Sequence, residues 1–387
     1  MVELDIGRSN RAETPEMAQT GLNMSRRIRR TPYTDRAEMH GVRGYSVVNH
    51  TLLPKAYAKS VEEDYWHLRE HVQIWDVGCQ RQVQVTGPDA ATLVQLMTPR
   101  DLRGIRVGQG LYIPLIDEHA GMLNDPVLLK LSDQRFWLSI ADSDVLLFAK
   151  GIAFGRGLDV VVEEPDVSPL AVQGPKAEAL MKRLFGQAIG DLPYFGFATF
   201  DVLGTRQVIA RSGYSKQGGF EIYLEGGHLG GDLWDLVWQA GQDLDIRPGC
   251  PNLIERIEGG LLSYGNEFTR ANNPLECGFE RFCHLGEDIE YIGREALLKI
   301  AKDGPERHIM GVTFGGKPVA GVAIPLAVIA EDGTPIGEIT SGLWSPRLGC
   351  NIGVGMIARS HWNAGTRVIV RVAQGNQREG RVSSLPF

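Results

Sequence analysis

Arg81-Gln82-Val83-Gln84-Val85-Thr86-Gly87-Pro88-Asp89 alternates apolar and polar residues and stops at a Gly-Pro turn. A period of two bounded by turn residues predicts a β-strand. Asp89 then stands where a helix over residues 90–97 needs its N-cap. The pattern returns in Val167-Ser168-Pro169-Leu170-Ala171-Val172-Gln173-Gly174-Pro175, followed by a helical stretch over 176–185. Two strand, Gly-Pro, helix units predict a duplicated α+β module. Residues 137–140 and 208–210 read as further strands and 233–239 as a helix. Trp234 and Trp238, one turn apart on that helix, read as core residues rather than as a cage for a ligand.

Beyond Gly286 the texture changes. Residues 309–314, 336–340, 352–357 and 366–372 are short strands separated by Gly, Pro and Asp-Gly turns, the pattern of a small all-β barrel. The boundary falls at Lys302-Asp303-Gly304-Pro305. The resulting plan has an N-terminal tail over 1–40, an α+β body of two related modules over 41–300 and a β-barrel domain over 301–387. The first 24 residues, rich in Glu, Asn, Thr and Gln, read as a mobile tail without the apolar core of a signal peptide.

A chain of 387 residues, 43% hydrophobic and 22% charged, buries a large core. Its net charge of -7 argues against nucleic acid as a partner, because phosphate binding needs a basic face. Arg26-Arg27-Ile28-Arg29-Arg30 is a local exception, read as a solvated segment in preference to a ligand-gathering one. Cys79, Cys250, Cys277, Cys283 and Cys350 are odd in number and hold no Cys-x-x-Cys pair, so neither a disulfide framework nor a metal site is expected. Cys79 reads as a small buried residue, and His50 and His284 have no ligand-spaced partner. With no apolar run long enough for a bilayer, the expectation is a cytoplasmic protein free of membrane contact.

Two carboxylates stand out. Asp125, in Gly121-Met122-Leu123-Asn124-Asp125-Pro126, precedes the apolar run Val127-Leu128-Leu129. Glu221 closes Arg211-Ser212-Gly213-Tyr214-Ser215-Lys216-Gln217-Gly218-Gly219-Phe220-Glu221 and precedes Ile222-Tyr223-Leu224. Each sits at the mouth of a strand, where a carboxylate serves a polar ligand or simply its own turn.

These motifs, with Arg256-Ile257-Glu258-Gly259-Gly260-Leu261, Tyr264-Gly265-Asn266-Glu267, Thr340-Ser341-Gly342-Leu343-Trp344-Ser345-Pro346 and Leu385-Pro386-Phe387, resemble the folate-binding aminomethyltransferase family, which includes the glycine cleavage T-protein. The resemblance runs over nearly the whole chain after about residue 40. Ser25-Arg26-Arg27-Ile28-Arg29-Arg30-Thr31-Pro32, Asn49-His50, Trp75-Asp76-Val77, Leu96-Met97-Thr98-Pro99-Arg100-Asp101-Leu102, Asn124-Asp125-Pro126 and Ser215-Lys216-Gln217-Gly218-Gly219 are more similar to the branch that demethylates dimethylsulfoniopropionate. The resemblance implies a three-part fold with tetrahydrofolate in a central channel, and methyl transfer from a charged small molecule to folate N5. A homodimer is implied by the family alone.

Within that resemblance Asp125 matches the essential carboxylate near the pterin nitrogens, Tyr112 the stacking aromatic, Glu221 the acid on the pterin edge and Arg256 the arginine near the folate. Taken without it, Arg256 reads as a surface helix ion pair with Glu255 or Glu258 in preference to a ligand contact. Tyr214 and Tyr223 are candidate aromatic faces for a cationic donor, and Lys216 or the Arg26 to Arg30 segment candidate partners for its carboxylate. Two positions depart from the demethylating branch: Tyr214 stands where Trp is common, and Gly196 where a larger aromatic is expected. Both bear on which sulfonium or quaternary ammonium is the donor. The alternatives are an aminomethyltransferase serving a lipoyl carrier and a non-catalytic folate-binding protein. The latter's relatives carry a cysteine in the turn that here reads Ser215-Lys216-Gln217-Gly218-Gly219.

Overall fold

The computed structural model describes residues 25–57, 60–140, 144–286, 288–372 and 376–387. The expected tail is outside the described residues up to position 24. From Ser25 onward the chain lies on the body: Tyr33 and Ala37 are fully buried, the Tyr33 hydroxyl donates to the Ser168 carbonyl at 2.7 Å, and Arg36 pairs with Asp235 at 2.6 Å. The expected boundary at residue 40 therefore leaves a packed helix, Thr34–Met39, on the tail side. Next comes a hairpin of strands Gly44–Val48 and Thr51–Ala56 that alternation did not reveal. Asn49 and His50 turn it with φ values of 51° and 57°, a turn in which Asn is among the residues that tolerate positive φ.

Two sheets form the body. One runs Val161–Glu163, Arg81–Thr86, Arg135–Ile140, Val127–Ser132, Gly110–Tyr112; the other runs Phe197–Val202, Thr205–Ala210, Gly219–Glu225, Val167–Gln173, Val72–Asp76, Ile246–Gly249. Leu129 and Trp137 of the first pack against Val167, Phe197, Val208, Ala210 and Tyr223 of the second. Helices Ala90–Leu96 and Val145–Arg156 cover the outer face of the first sheet. Ala177–Phe185 and Gly230–Ala240 cover that of the second, with Trp234 fully buried there.

Both Gly-Pro turns are required by geometry. Gly87 (φ 129°) and Gly174 (φ 118°) lie so close to neighbouring backbone that a Cβ would meet Asp159 O at 2.5 Å and His71 O at 2.4 Å. Asp89 sits at the N-cap but does not cap its own helix; its carboxylate accepts the Asp159 N–H at 2.8 Å. The polar phase of Arg81–Thr86 also differs from the simple expectation. Gln82 and Gln84 face the interior, where the Gln84 carbonyl accepts from Arg135 at 2.8 Å and Trp137 at 2.9 Å. Alternation here separates two buried layers rather than core from water.

The C-terminal part is a closed barrel in the order Arg307–Phe314, Cys350–Ala358, Pro335–Ser345, Leu326–Ile329, Arg367–Arg371, Gln377–Ser383. Leu326–Ile329 is short, and Gln377–Ser383 buries little beyond Val382, so hydrophobic pattern does not reveal them. One apolar cluster joins barrel to body, from Tyr65, Met122 and Ile257 to Ile309, Leu343 and Val354. All five cysteines are free. Among the described residues no helix is long and apolar enough to cross a membrane.

Candidate functional site

Asp125 lies between strands Met122–Asn124 and Val127–Ser132, at the edge of the cluster that joins the body to the barrel. Its Oδ2 accepts the Tyr112 hydroxyl at 2.6 Å. Burial pushes its pKa up to about 7, against the pull of the Tyr112 hydrogen bond, and no cation offsets it. Tyr112 packs edge-on against Phe279 at 5.5 Å and Phe282 at 5.2 Å, which fixes the ring that presents this hydroxyl. Asn124 beside it is fully buried, with neither end of its amide hydrogen-bonded among the described residues, a cost of about 1–3 kcal/mol.

Glu221 is the third residue of strand Gly219–Glu225, paired with Ala171. It is buried, and both of its hydrogen bonds end on Oε2, one from Ser212 Oγ and one from the Tyr223 hydroxyl at 3.4 Å. Burial raises its pKa and no cation opposes the shift. The glycine-rich loop before it is clamped by Gln173. Its Oε1 accepts Ser215 Oγ at 2.7 Å, and its amide donates to the Ser212 carbonyl at 3.1 Å. A Cβ on Gly213 (φ 152°) would collide with that Gln173 side chain, so Gly213 lets the loop lie flat on it.

Arg256 is not a surface ion pair. Helix Leu253–Glu258, capped by Asn252, turns it inward, where it donates to Glu267 at 2.8 Å, Leu261 O at 3.1 Å and Ser341 Oγ of the barrel at 3.0 Å. The two acids beside it are used elsewhere: Glu255 by Arg69 and Gln217, Glu258 by Tyr65, Ser345 and Arg347. Tyr214 reaches the same place, its hydroxyl donating to Leu262 O at 2.6 Å. Burial raises the Tyr214 pKa; the Arg256 cation opposes that shift, while Glu267 and Asp125 reinforce it. Tyr112, Asp125, Tyr214, Arg256 and Glu267 thus form one electrostatic neighbourhood.

The remaining candidates separate. Tyr223 is 1% exposed with its ring between the sheets against Trp137, so what it offers Glu221 is a hydroxyl and not an open face. Lys216 is exposed, held at φ 57° with its stem against Gly259. Arg29 and Arg30 line a different cavity of about 580 Å³ and are engaged by Glu164, Asp35 and Glu38. Gly196 has no room for a side chain, because a Cβ would meet Pro193 Cδ at 2.6 Å. Gln173, Ser212, Glu267 and Ser341 were not singled out from the sequence. Each belongs to a quoted motif, but its role depends on a partner distant in the chain.

The arrangement offers a half-buried carboxyl at Asp125 and a buried one at Glu221, neither of them paired with a cation. That donor-poor pair suits a ligand bearing N–H groups at two edges.

The sequence pattern of the GCVT N-terminal domain matches residues 33–287, and that of the glycine cleavage T-protein C-terminal barrel domain matches 307–387. The dimethylsulfoniopropionate demethylase DmdA of Ruegeria pomeroyi is 51% identical over 91% of this chain and 95% of its own. An aminomethyltransferase of Symbiobacterium thermophilum is 30% identical over 87% of this chain and 91% of its own. The crystal structure of aminomethyltransferase T from Bartonella henselae has the same fold, with TM-score 0.82 at 24% identity, covering 93% of this chain and 98% of that one.

Proposed function

The chain belongs to the glycine cleavage T-protein family, and from that premise we propose that it is a tetrahydrofolate-dependent demethylase that takes a methyl group from dimethylsulfoniopropionate and releases methylthiopropionate. The observation that carries this reading is the 51% identity to a dimethylsulfoniopropionate demethylase over 91% of the chain, far above the 30% to an aminomethyltransferase. The site fits the folate. A pterin carries N–H donors at two edges, and half-buried Asp125 and buried Glu221 are carboxyls with acceptor capacity to spare and no cation to satisfy it.

Tetrahydrofolate, when bound, supplies a secondary amine at N5 as methyl acceptor. Glu221, with its position fixed by Ser212 and Tyr223, accepts the N–H pair of the pterin edge. Tyr112 orients Asp125 and walls the pocket with Phe279 and Phe282. Arg256 ties the helix Leu253–Glu258 to Glu267 and to the barrel at Ser341, and so holds the wall that Tyr214 completes. Tyr214 presents its ring to the sulfonium, and the exposed Lys216 of the same loop is the candidate for the donor's carboxylate. With donor and folate both bound, the sulfonium would give up its methyl with the S–C electron pair left on sulfur as a neutral thioether, the folate amine would supply the accepting lone pair, and the ionised Asp125 would take the proton that amine gives up. The leaving group needs no acid, so the protein contributes alignment, worth about 7–11 kcal/mol in well-oriented reactions, and a site for one proton.

Purified protein incubated with tetrahydrofolate and either dimethylsulfoniopropionate, glycine betaine or dimethylglycine is expected to form 5-methyltetrahydrofolate from the sulfonium alone. Absence of methylfolate in that reaction removes the assignment. Glu221→Gln replaces one acceptor oxygen by a donor; its Kd for tetrahydrofolate is expected to rise by about ten- to a hundredfold, the worth of a charged hydrogen bond. Equilibrium titration checks this, and an unchanged Kd takes Glu221 off the pterin edge.

A further inference from the structure

A sulfonium has no N–H or O–H to donate, so a protein recognises it by π faces and by negative charge alone. Glu267 supplies such a charge beside Tyr214. Its side chain is 0% exposed, and Oε2 takes both of its hydrogen bonds, from Arg256 at 2.8 Å and from the Ser263 N–H at 2.7 Å. Oε1 is buried and has no hydrogen-bond partner among the described residues, an arrangement that costs stability. Two chains of contact join Glu267 to the reacting centre. Arg256 and the Tyr214 hydroxyl share the Leu261 carbonyl, at 3.1 Å and 3.3 Å. Phe268, the next residue, meets Phe279 edge-on at 5.6 Å, and Phe279 meets Tyr112, whose hydroxyl binds Asp125. The ion pair is also directional. Arg256 reaches with its other terminal nitrogen to Ser341 of the barrel at 3.0 Å, and at Asp125 the charge of Glu267 raises the pKa with no opposing contribution from Arg256. The neighbouring acids are spent on other cations, Glu255 on Arg69 and Glu258 on Arg347.

We propose that Glu267 is the through-space counter-ion for the onium group of the methyl donor, and that its charge makes the site select a cationic donor over a neutral molecule of the same shape. The inference rests on the methyl-transfer reading above and deepens it by assigning the residue that recognises the donor's charge. With the methyl-accepting nitrogen at Asp125, the donor's methyl has to reach that nitrogen, which brings the sulfur into the field of Glu267. The positive charge then stays in the pocket, passing from the donor to the acceptor, so Glu267 stabilises bound donor and transition state alike. Its loss acts on KM in preference to kcat. Arg256 and the Ser263 N–H fix where that charge sits.

The test uses the full-length protein and two competitors of one shape, 3-(trimethylammonio)propanoate and 4,4-dimethylpentanoate, which differ only in a quaternary nitrogen against a quaternary carbon. Their Ki values are measured against dimethylsulfoniopropionate. Wild type is expected to bind the cation about tenfold or more tightly than the neutral competitor. Glu267→Gln keeps the shape and an acceptor for Arg256 but removes the charge. It is expected to lower that ratio about tenfold and to raise the KM for dimethylsulfoniopropionate by a similar factor, with kcat within about threefold of wild type and the Kd for tetrahydrofolate unchanged. Glu267→Asp retains the charge and is expected to recover part of the ratio. Ser341→Ala loosens Arg256 without altering any charge, and is expected to leave the ratio at its wild-type value. A wild-type ratio of one overturns the counter-ion role without any variant. So does a ratio that Glu267→Gln leaves unchanged, or that Ser341→Ala lowers as far. In each of these cases methylfolate formed from the sulfonium leaves the demethylase reading standing. No methylfolate from the sulfonium in wild type overturns that reading and the counter-ion together.

Discussion

Asp125→Asn is expected to lower turnover by about 10²–10⁴-fold, the span that general acid–base groups contribute, while tetrahydrofolate still binds within about tenfold of wild type. The amide keeps an acceptor for the Tyr112 hydroxyl, so the pocket wall stands, but it takes no proton and carries no charge to balance the cation that develops on the acceptor. A pH profile sharpens the test. Burial sets the Asp125 pKa at about 7, so kcat/KM in wild type rises as pH increases through 7, and the variant loses that limb. Stability moves the other way. The unfolded carboxyl titrates near 3.9, so between about pH 4 and 7 the folded state holds a proton the unfolded chain has lost, and wild-type stability falls as pH rises through that window. Asp125→Asn is accordingly expected to be more stable than wild type at pH 8, by on the order of 2 kcal/mol, with the gap closing by pH 4. Full activity in the variant, measured as methylfolate formed per enzyme, removes Asp125 from the mechanism.

The second large effect belongs to Glu258→Ala. Glu258 is 3% exposed, and its two oxygens accept the Tyr65 hydroxyl at 2.8 Å, Ser345 Oγ at 2.5 Å and Arg347 Nε at 2.7 Å; its backbone carbonyl accepts the Phe387 N–H at 2.9 Å. One helix residue thus ties together helix Val61–Glu70, the barrel strand Pro335–Ser345 and the chain's last residue. Removing the carboxylate leaves two buried hydroxyls and a half-buried arginine without their acceptor, a loss of about 3–5 kcal/mol. Guanidinium denaturation is expected to show an earlier transition in which the barrel separates from the body, and activity to fall because Arg256 on the same helix loses its register with Ser341. A midpoint equal to that of wild type shows that the apolar cluster between the domains carries the docking by itself.

The two Gly-Pro turns show what was legible in the sequence. Strand, turn and helix there are local: alternation over six residues, a glycine forced by backbone proximity and a helix whose apolar face is visible in its own spacing. The barrel strands rich in Ile and Val were legible for the same reason. Gln377–Ser383 was not, because only Val382 of it is buried and its place is set by Arg307–Phe314 and Arg367–Arg371 on either side. The hairpin at Asn49-His50 was missed because its signal is two positive φ angles rather than a hydrophobic period.

At the site, the sequence by itself determined which residue types are present and the family whose motifs they follow, since a motif is a run of neighbours. Only the tertiary structure decided their partners. Arg256 turned from a helix-surface pair with Glu255 or Glu258 into a bridge between Glu267 and Ser341 of the barrel. Tyr223 gave up its ring to the layer between the sheets, and Ser212 and Gln173 emerged as the supports of Glu221 and its loop. The reason is physical. Propensity and periodicity act over a few residues and are written in the local sequence. The charge state of a buried carboxyl, by contrast, depends on desolvation and on donors brought from 13 residues away for Tyr112 and Asp125, or from 85 residues away for Arg256 and Ser341, and packing alone selects those.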